Sequence, residues 1–189
     1  MVTTRELSID DATTVTKMVG ALLAELGAGH AQRLDTQLVA DLLAMKERIF
    51  GFLAFTKECP VGIIMLSEGA ALFARGSYGI ITELYVVPDQ RSSGVAMLLI
   101  DAAVSLGTLK GWSQLEVGAP NQPIWNRSPN SALYLKVGFA EIGPRLKLPL
   151  HGLARPRAQD SAVAPSRVDP RRRRALRRRI PEPSSARLA

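Results

Sequence analysis

Residues 81–104 read ITELYVVPDQRSSGVAMLLIDAAV. An apolar run rich in Ile, Tyr and Val ends at Pro88. A polar loop follows, holding Arg91, Ser92, Ser93 and Gly94. Apolar residues then return at helical spacing, at Val95, Leu98, Leu99, Ala102, Leu106 and Leu109, until Gly111. This is a strand, a loop of small residues and a helix start in quick succession. The first N–H groups of a helix lack intrahelical acceptors and carry partial positive charge. Such a junction binds anions where small side chains let a ligand approach. Ser92, Ser93, Gly94 and Ala96 are small, and Arg91 adds a cation with a planar fork of donors. One anion at one helix end gains only about 0.3–1 kcal/mol, so useful affinity needs several amides and Arg91 acting together on a diphosphate. An ordinary capped helix after a strand has the same local pattern, and the loop alone leaves both readings open. No G-x-x-x-x-G-K-[ST] and no G-x-G-x-x-G after a strand occurs elsewhere.

Working outward, Arg5 to Ile9 reads as a short first strand, and Asp10 and Asp11 as the cap and acidic first turn of a helix. Val15, Met18, Val19, Leu22, Leu23 and Leu26 form its apolar face, and Gly27 and Gly29 break it. A second helix is expected from about Asp35 to Lys46. Strands follow at Ile49 to Thr56 and Val61 to Leu66, with Cys59-Pro60 between them. Residues 68–76 read as a loop or a strand extension. Tyr78 to Val87 is the clearest strand, and Trp112 to Val117 another. Asn130 to Val137 reads as a short helix stopped by Gly138, and Phe139 to Leu148 as a last strand. The order is β-α-α-β-β-β-α-β-α-β, which mixes hairpins with helical crossovers and predicts α/β layers around a mixed sheet.

The 189 residues suit one domain plus a tail, and the net charge of +7 is unevenly placed. Residues 151–189 hold 11 arginines against Asp160, Asp169 and Glu182, a net of +8. Residues 1–150 hold 13 Lys and Arg against 14 Asp and Glu, a net of −1. The basic character belongs to the tail. No apolar run reaches the roughly 18 residues of a membrane span. The N-terminus lacks a basic segment followed by an apolar one, so no signal peptide is expected, and Asn126-Arg127-Ser128 is read as a chance match to a glycosylation site. Cys59 is the only cysteine, and His30 and His151 are the only histidines. That excludes an intrachain disulfide, argues against a zinc cluster or other metal site, and fits a reducing, cytoplasmic setting.

The hexapeptide Arg91-Ser92-Ser93-Gly94-Val95-Ala96 resembles the [QR]-x-x-G-x-[GA] signature of the GNAT superfamily of N-acetyltransferases. Leu84-Tyr85-Val86-Val87-Pro88 resembles that family's central strand and its following proline. Residues 130–139, with Asn130, Tyr134, Gly138 and Phe139, resemble its late helix, which commonly ends Tyr-x-x-x-Gly-Phe. The likeness covers about residues 4–150. It implies a mostly antiparallel central sheet flanked by helices, with residues 151–189 left as a disordered Arg-, Pro- and Ala-rich tail.

The resemblance further implies acetyl-CoA, or another acyl-CoA, as co-substrate and a small-molecule or peptide amine as acceptor. The pyrophosphate is expected on the amides of residues 91–96. The pantetheine arm is expected along Leu84, Tyr85 and Val86, with Asn130 near it and the thioester in the gap towards the Trp112–Val117 strand. A lysine-like amine has a pKa of ~10.4, so its deprotonation at pH 7 costs about 4.6 kcal/mol and calls for a base. Glu83, polar amid Ile80, Ile81, Leu84 and Val86, is the candidate. The plain alternative is a Glu83 that faces solvent or pairs with an arginine. Glu116 on the neighbouring strand is the reserve. Tyr134 is the candidate acid for the departing thiolate, against simple packing of its ring. Trp112 and Trp125 read as core or rim residues, Cys59 as a buried small residue and His30 as a surface histidine.

Two departures stand out. Arg127 holds the place, seven residues before Tyr134, where many members have asparagine, and Ser92 stands where glycine is frequent. The family fold also closes with one more strand, whose pattern is missing after residue 150, as a change of reading frame would produce. Two other functions stay open on sequence alone. One is a module that binds acyl-CoA without turnover. The other is nucleic-acid association through RRRRALRRR in the tail. A homodimer is also left open.

Overall fold

The computed structural model describes residues 1–27, 34–118 and 129–143, with side chains throughout except at 129–131. Strand β1 is Val2–Glu6, followed by a single 3-10 turn at Ile9–Asp11 and helix α1 at Ala12–Glu25. Helix α2 is Thr36–Leu43. Strands β2 (Ile49–Thr56), β3 (Cys59–Ala71) and β4 (Gly76–Val86) form a meander. A 3-10 turn at Pro88–Gln90 leads to α3 (Val95–Lys110), then β5 (Leu115–Val117) and α4 (Pro129–Val137).

The sheet order is β1-β2-β3-β4-β5, antiparallel except for the parallel β4–β5 pair. The alternation of each strand sorts side chains onto two faces. Ala54, Ile64, Leu66, Ile81, Leu84 and Val86 pack with Val95, Leu99, Ile100 and Ala103 of α3. Leu53, Ile63, Met65 and Tyr85 pack with Val15, Met18 and Val19 of α1 and Val39 and Leu43 of α2. Each fully buried Leu or Ile stabilises the fold by about 1.5–3 kcal/mol.

The 3-10 turn ahead of α1 is closed by Asp11. Its carboxylate accepts from the Ser8 N–H at 2.8 Å and from Arg5 of β1 at 2.7 and 2.8 Å. The Arg5 guanidinium holds the Asp11 carboxyl below the usual carboxylate range, against the opposing effect of burial. Asp35 caps α2 by accepting from the Gln37 N–H at 3.0 Å. At its far end, α3 stops as the glycine pattern requires, with Gly111 left-handed at φ 69°.

Several expectations need correction. The first strand lies at Val2–Glu6, not 5–9, because its residues pair with Phe52 to Thr56. Of the two readings of 68–76, the strand extension holds for 68–71, since β3 runs on to Ala71 and 72–75 form the hairpin turn. Cys59 is not buried: it opens β3 at an exposed hairpin end. Residues 112–114 are not strand, because the chain turns there to lay Trp112 against the sheet. Residues 139–143 are not strand either, since Phe139 folds back onto α4 instead of joining the sheet. Residues 144–148, the tail, His30, Trp125 and Arg127 lie outside the described residues.

Candidate active site

The turn at residues 91–94, where the diphosphate is expected and which is called the phosphate turn for that expectation, is built by two left-handed residues. Ser92 has φ 62° and Gly94 has φ 87°. Between them Ser93 donates its hydroxyl to the Gln90 carbonyl at 2.6 Å. The result is a run of backbone N–H groups, Ser92 to Met97, with no well-aligned acceptor among the described residues. The first amide to find one is Leu98, which bonds the Gly94 carbonyl at 3.1 Å. Residues 91–94 are exposed, and open space surrounds the position a Cβ would take on Gly94. Exposed amides at a helix start are the kind of group that anions bind.

The helix that carries these amides is held close to the sheet by Gly62. That residue lies opposite Val86 in β3, and a Cβ there would come within 2.8 Å of Val95 Cγ1. The missing side chain lets Val95 and Leu99 seat directly on β3, so the turn sits at the end of β4.

Strand β4 has a bulge at Thr82: Ile81 pairs with Leu66, and Glu83 already pairs with Met65. Its pairing with β5 covers only Gly79, Ile80 and Ile81. From Thr82 to Val86, β4 has no strand on that side among the described residues. Leu84, Tyr85 and Val86 therefore border an open edge that leads to the phosphate turn. The Val86 carbonyl on this stretch is already used, accepting from Arg91 Nε at 3.0 Å.

Glu83 sits at the point where β5 has ended. It is half-buried, opposite Met65 and so on the face of α1 and α2, and it has no ion pair among the described residues. Burial raises its pKa above the ordinary carboxylate value, with a partial offset from the Thr82 side chain. Glu116, paired with Ile80 in β5, accepts from Gln114 Nε2 at 2.7 Å.

Tyr134 lies on the opposite face, 4% exposed, in the cluster that holds Leu84 and Val86. The Tyr-x-x-x-Gly-Phe pattern has a physical cause here. Gly138 takes φ 107°, the Phe139 N–H bonds the Tyr134 carbonyl at 3.0 Å, and the two rings meet edge-on at 5.3 Å. Burial pushes the Tyr134 hydroxyl well above its usual pKa. Glu83 and Tyr134 thus flank β4 from its two faces. Asn130 is in α4, with its side chain outside the described set.

Arg91 has a carboxylate partner that the sequence did not indicate. Its NH2 group donates to both carboxylate oxygens of Glu25, at 2.6 and 2.8 Å, and its guanidinium lies 5.7 Å from the centre of the Tyr85 ring. Sequence reasoning missed Glu25, since its partner is 66 residues away and no local pattern links them. A cleft of about 330 Å³ lies on the α1 side of Tyr85 and Val87, walled by Thr14, Lys17, Met18 and Pro60; it contains none of the phosphate-turn residues. Among the described residues no group of three His, Cys, Asp or Glu is placed to hold a metal, and no helix is long and apolar enough to cross a membrane.

The model of the Acetyltransferase (GNAT) family matches residues 19–139, which span the open β4 edge, the phosphate turn and Tyr134. The chain belongs to the GNAT acetyltransferase family. Solved GNAT-like structures share the fold. One is a ribosomal-protein-alanine N-acetyltransferase from Brucella melitensis biovar Abortus 2308, 21% identical, with a TM-score of 0.63 over 79% of this chain and 99% of that one. An aminoglycoside acetyltransferase from an uncultured soil metagenomic sample is 21% identical, with a TM-score of 0.66 over 79% and 99%. A predicted acetyltransferase with acetyl-CoA from Clostridium acetobutylicum is 18% identical, with a TM-score of 0.64 over 79% and 97%. No curated protein matches the chain.

Proposed function

We propose that this GNAT protein is a cytoplasmic N-acetyltransferase that moves an acetyl group from acetyl-CoA to a primary amine. One observation carries the reading: the run of unpartnered amides from Ser92 to Met97 stands at the end of a β4 edge that β5 leaves open. The small residues Ser92, Ser93 and Gly94 suit the diphosphate of coenzyme A, and the edge at Leu84 to Val86 suits its amide-bearing arm. Bound acetyl-CoA supplies an activated acetyl thioester.

The remaining chemistry belongs to the chain. The Glu83 carboxylate takes the proton of the acceptor ammonium, leaving a neutral amine whose nitrogen forms the new bond to the acetyl carbon. Its raised pKa brings it nearer working pH, where a base is most effective. The carbon–sulfur bond breaks, the Tyr134 hydroxyl donates a proton to the departing sulfur, and the second proton that the nitrogen sheds on becoming an amide restores that hydroxyl. Burial keeps that hydroxyl protonated until it is needed. The sheet core on both faces of β4 limits water at this point.

The test is thiol release on adding acetyl-CoA and a panel of amines. Proteins that share the fold include an aminoglycoside acetyltransferase and a ribosomal-protein-alanine N-acetyltransferase. The panel therefore spans aminoglycosides and peptides with an N-terminal alanine. Amine-dependent thiol release with an acetylated product in mass spectrometry is the expected result. Calorimetric binding of acetyl-CoA with no thiol released by any amine overturns turnover and leaves a binding module.

A further inference from the structure

The phosphate turn has little packing to hold it. Residues 91–94 are exposed, and two of the four are left-handed, which for Ser92 is intrinsically unfavourable. Its longest anchor is the Arg91 side chain, which reaches back to the Val86 carbonyl and across to Glu25. Glu25 is the last residue of α1. A carboxylate there faces the negative end of the helix dipole, and the last turn of α1 holds no basic residue. Local helix energetics therefore disfavour Glu25. The pair is also poorly placed to stabilise the fold, since its side chains are 40% and 43% exposed. What the carboxylate does achieve is to clamp one edge of the guanidinium while Nε is held by Val86.

We infer that Glu25 is a positioning residue for the coenzyme: by fixing Arg91 between the Val86 carbonyl and the end of α1, it holds the Ser92–Met97 amides ready for a diphosphate. The inference rests on the proposed acetyl-CoA reading and extends it to a residue on another element. It links α1 to the cofactor turn through one ion pair, in which a single guanidinium nitrogen donates to both carboxylate oxygens. Glu25 acts through Arg91 and does not itself touch the coenzyme.

The experiment is calorimetric titration of the full chain with acetyl-CoA and with CoA. It uses wild type, Glu25→Gln, Arg91→Gln and the double variant, with melting temperature measured alongside. Glu25→Gln should weaken binding by roughly fivefold, the ratio that corresponds to about 1 kcal/mol. Its melting temperature should stay near wild type, because losing an exposed pair is offset by relief at the helix end. In the Arg91→Gln background, Glu25→Gln should cause no further loss, which a merely structural role would not produce. Wild-type affinity in Glu25→Gln, or an equal loss in both backgrounds, overturns the role of Glu25 alone. No heat from wild type with either CoA species overturns the acetyl-CoA reading, and the role of Glu25 with it.

Discussion

Gly79 of β4 and Trp112, two residues past α3, share one space: a Cβ on Gly79 would overlap the Trp112 ring and come within 2.6 Å of Leu115 Cδ2. The indole is held there by donating Nε1–H to Glu68 Oε2 at 2.8 Å and by edge-on contact with Phe50 at 5.6 Å. This contact is where β5 begins its short pairing with β4. It therefore helps set where the two strands part and the open edge begins.

Gly79→Ala should therefore destabilise the protein by about 1–3 kcal/mol, the cost of overpacking a filled site. It should also weaken acetyl-CoA binding by displacing β5. Urea denaturation and calorimetry check both effects. An unchanged denaturation midpoint would show that Trp112 can move away at little cost.

The two left-handed residues of the turn should respond oppositely. Gly94→Ala forces a Cβ onto φ 87° and should cost about 1–2 kcal/mol, with loss of acetyl-CoA affinity. Ser92→Gly relieves φ 62° while adding unfolded-state freedom, so stability should change by less than about 1 kcal/mol and affinity should persist. Comparing the two variants by thermal melting and calorimetry separates backbone strain from a general sensitivity of the loop.

Glu83 should leave a signature in pH. Burial raises its pKa, so between the ordinary and the raised value the native state keeps a proton that the unfolded state has lost. The stability tied to Glu83 is fully present below the ordinary value and is lost as pH rises through the raised one. Glu83→Gln should abolish that dependence and be no less stable at neutral pH. It should also lower kcat/KM by about 10²–10⁴ and remove the acid limb of the rate profile. A variant that keeps wild-type kcat/KM would transfer the base role to another group, with Glu116 next to be tested.

Tyr134→Phe keeps the ring that packs edge-on against Phe139 and removes only the hydroxyl. Acetyl-CoA affinity should hold within about twofold, while kcat falls by roughly 10²-fold if proton delivery to sulfur is lost. Pre-steady-state thiol release gives the measurement. Equal falls in kcat and affinity would point to packing instead.

Much of this was legible in the chain because local chemistry acts over a few residues. The end of α3 follows from Gly111, and the capped start of α2 follows from Asp35. The turn at 91–94 was readable because small residues and a left-handed glycine occur together there. Misreadings arose where a distant partner decided the outcome. Residues 112–114 have strand-like composition, but Trp112 is taken by Gly79 and Glu68. Phe139 begins an apolar stretch, but Gly138 turns it onto Tyr134.

The sequence by itself determined the helix and strand order over most of the chain, the small-residue turn at 91–96 and the family it signals. Periodicity and φ preference are properties of neighbouring residues. Only the tertiary structure decided that Thr82 bulges, that β5 stops at Val117 and that Arg91 is clasped by Glu25. Those outcomes depend on strand register and on which side chains from distant segments meet, and no local pattern encodes them.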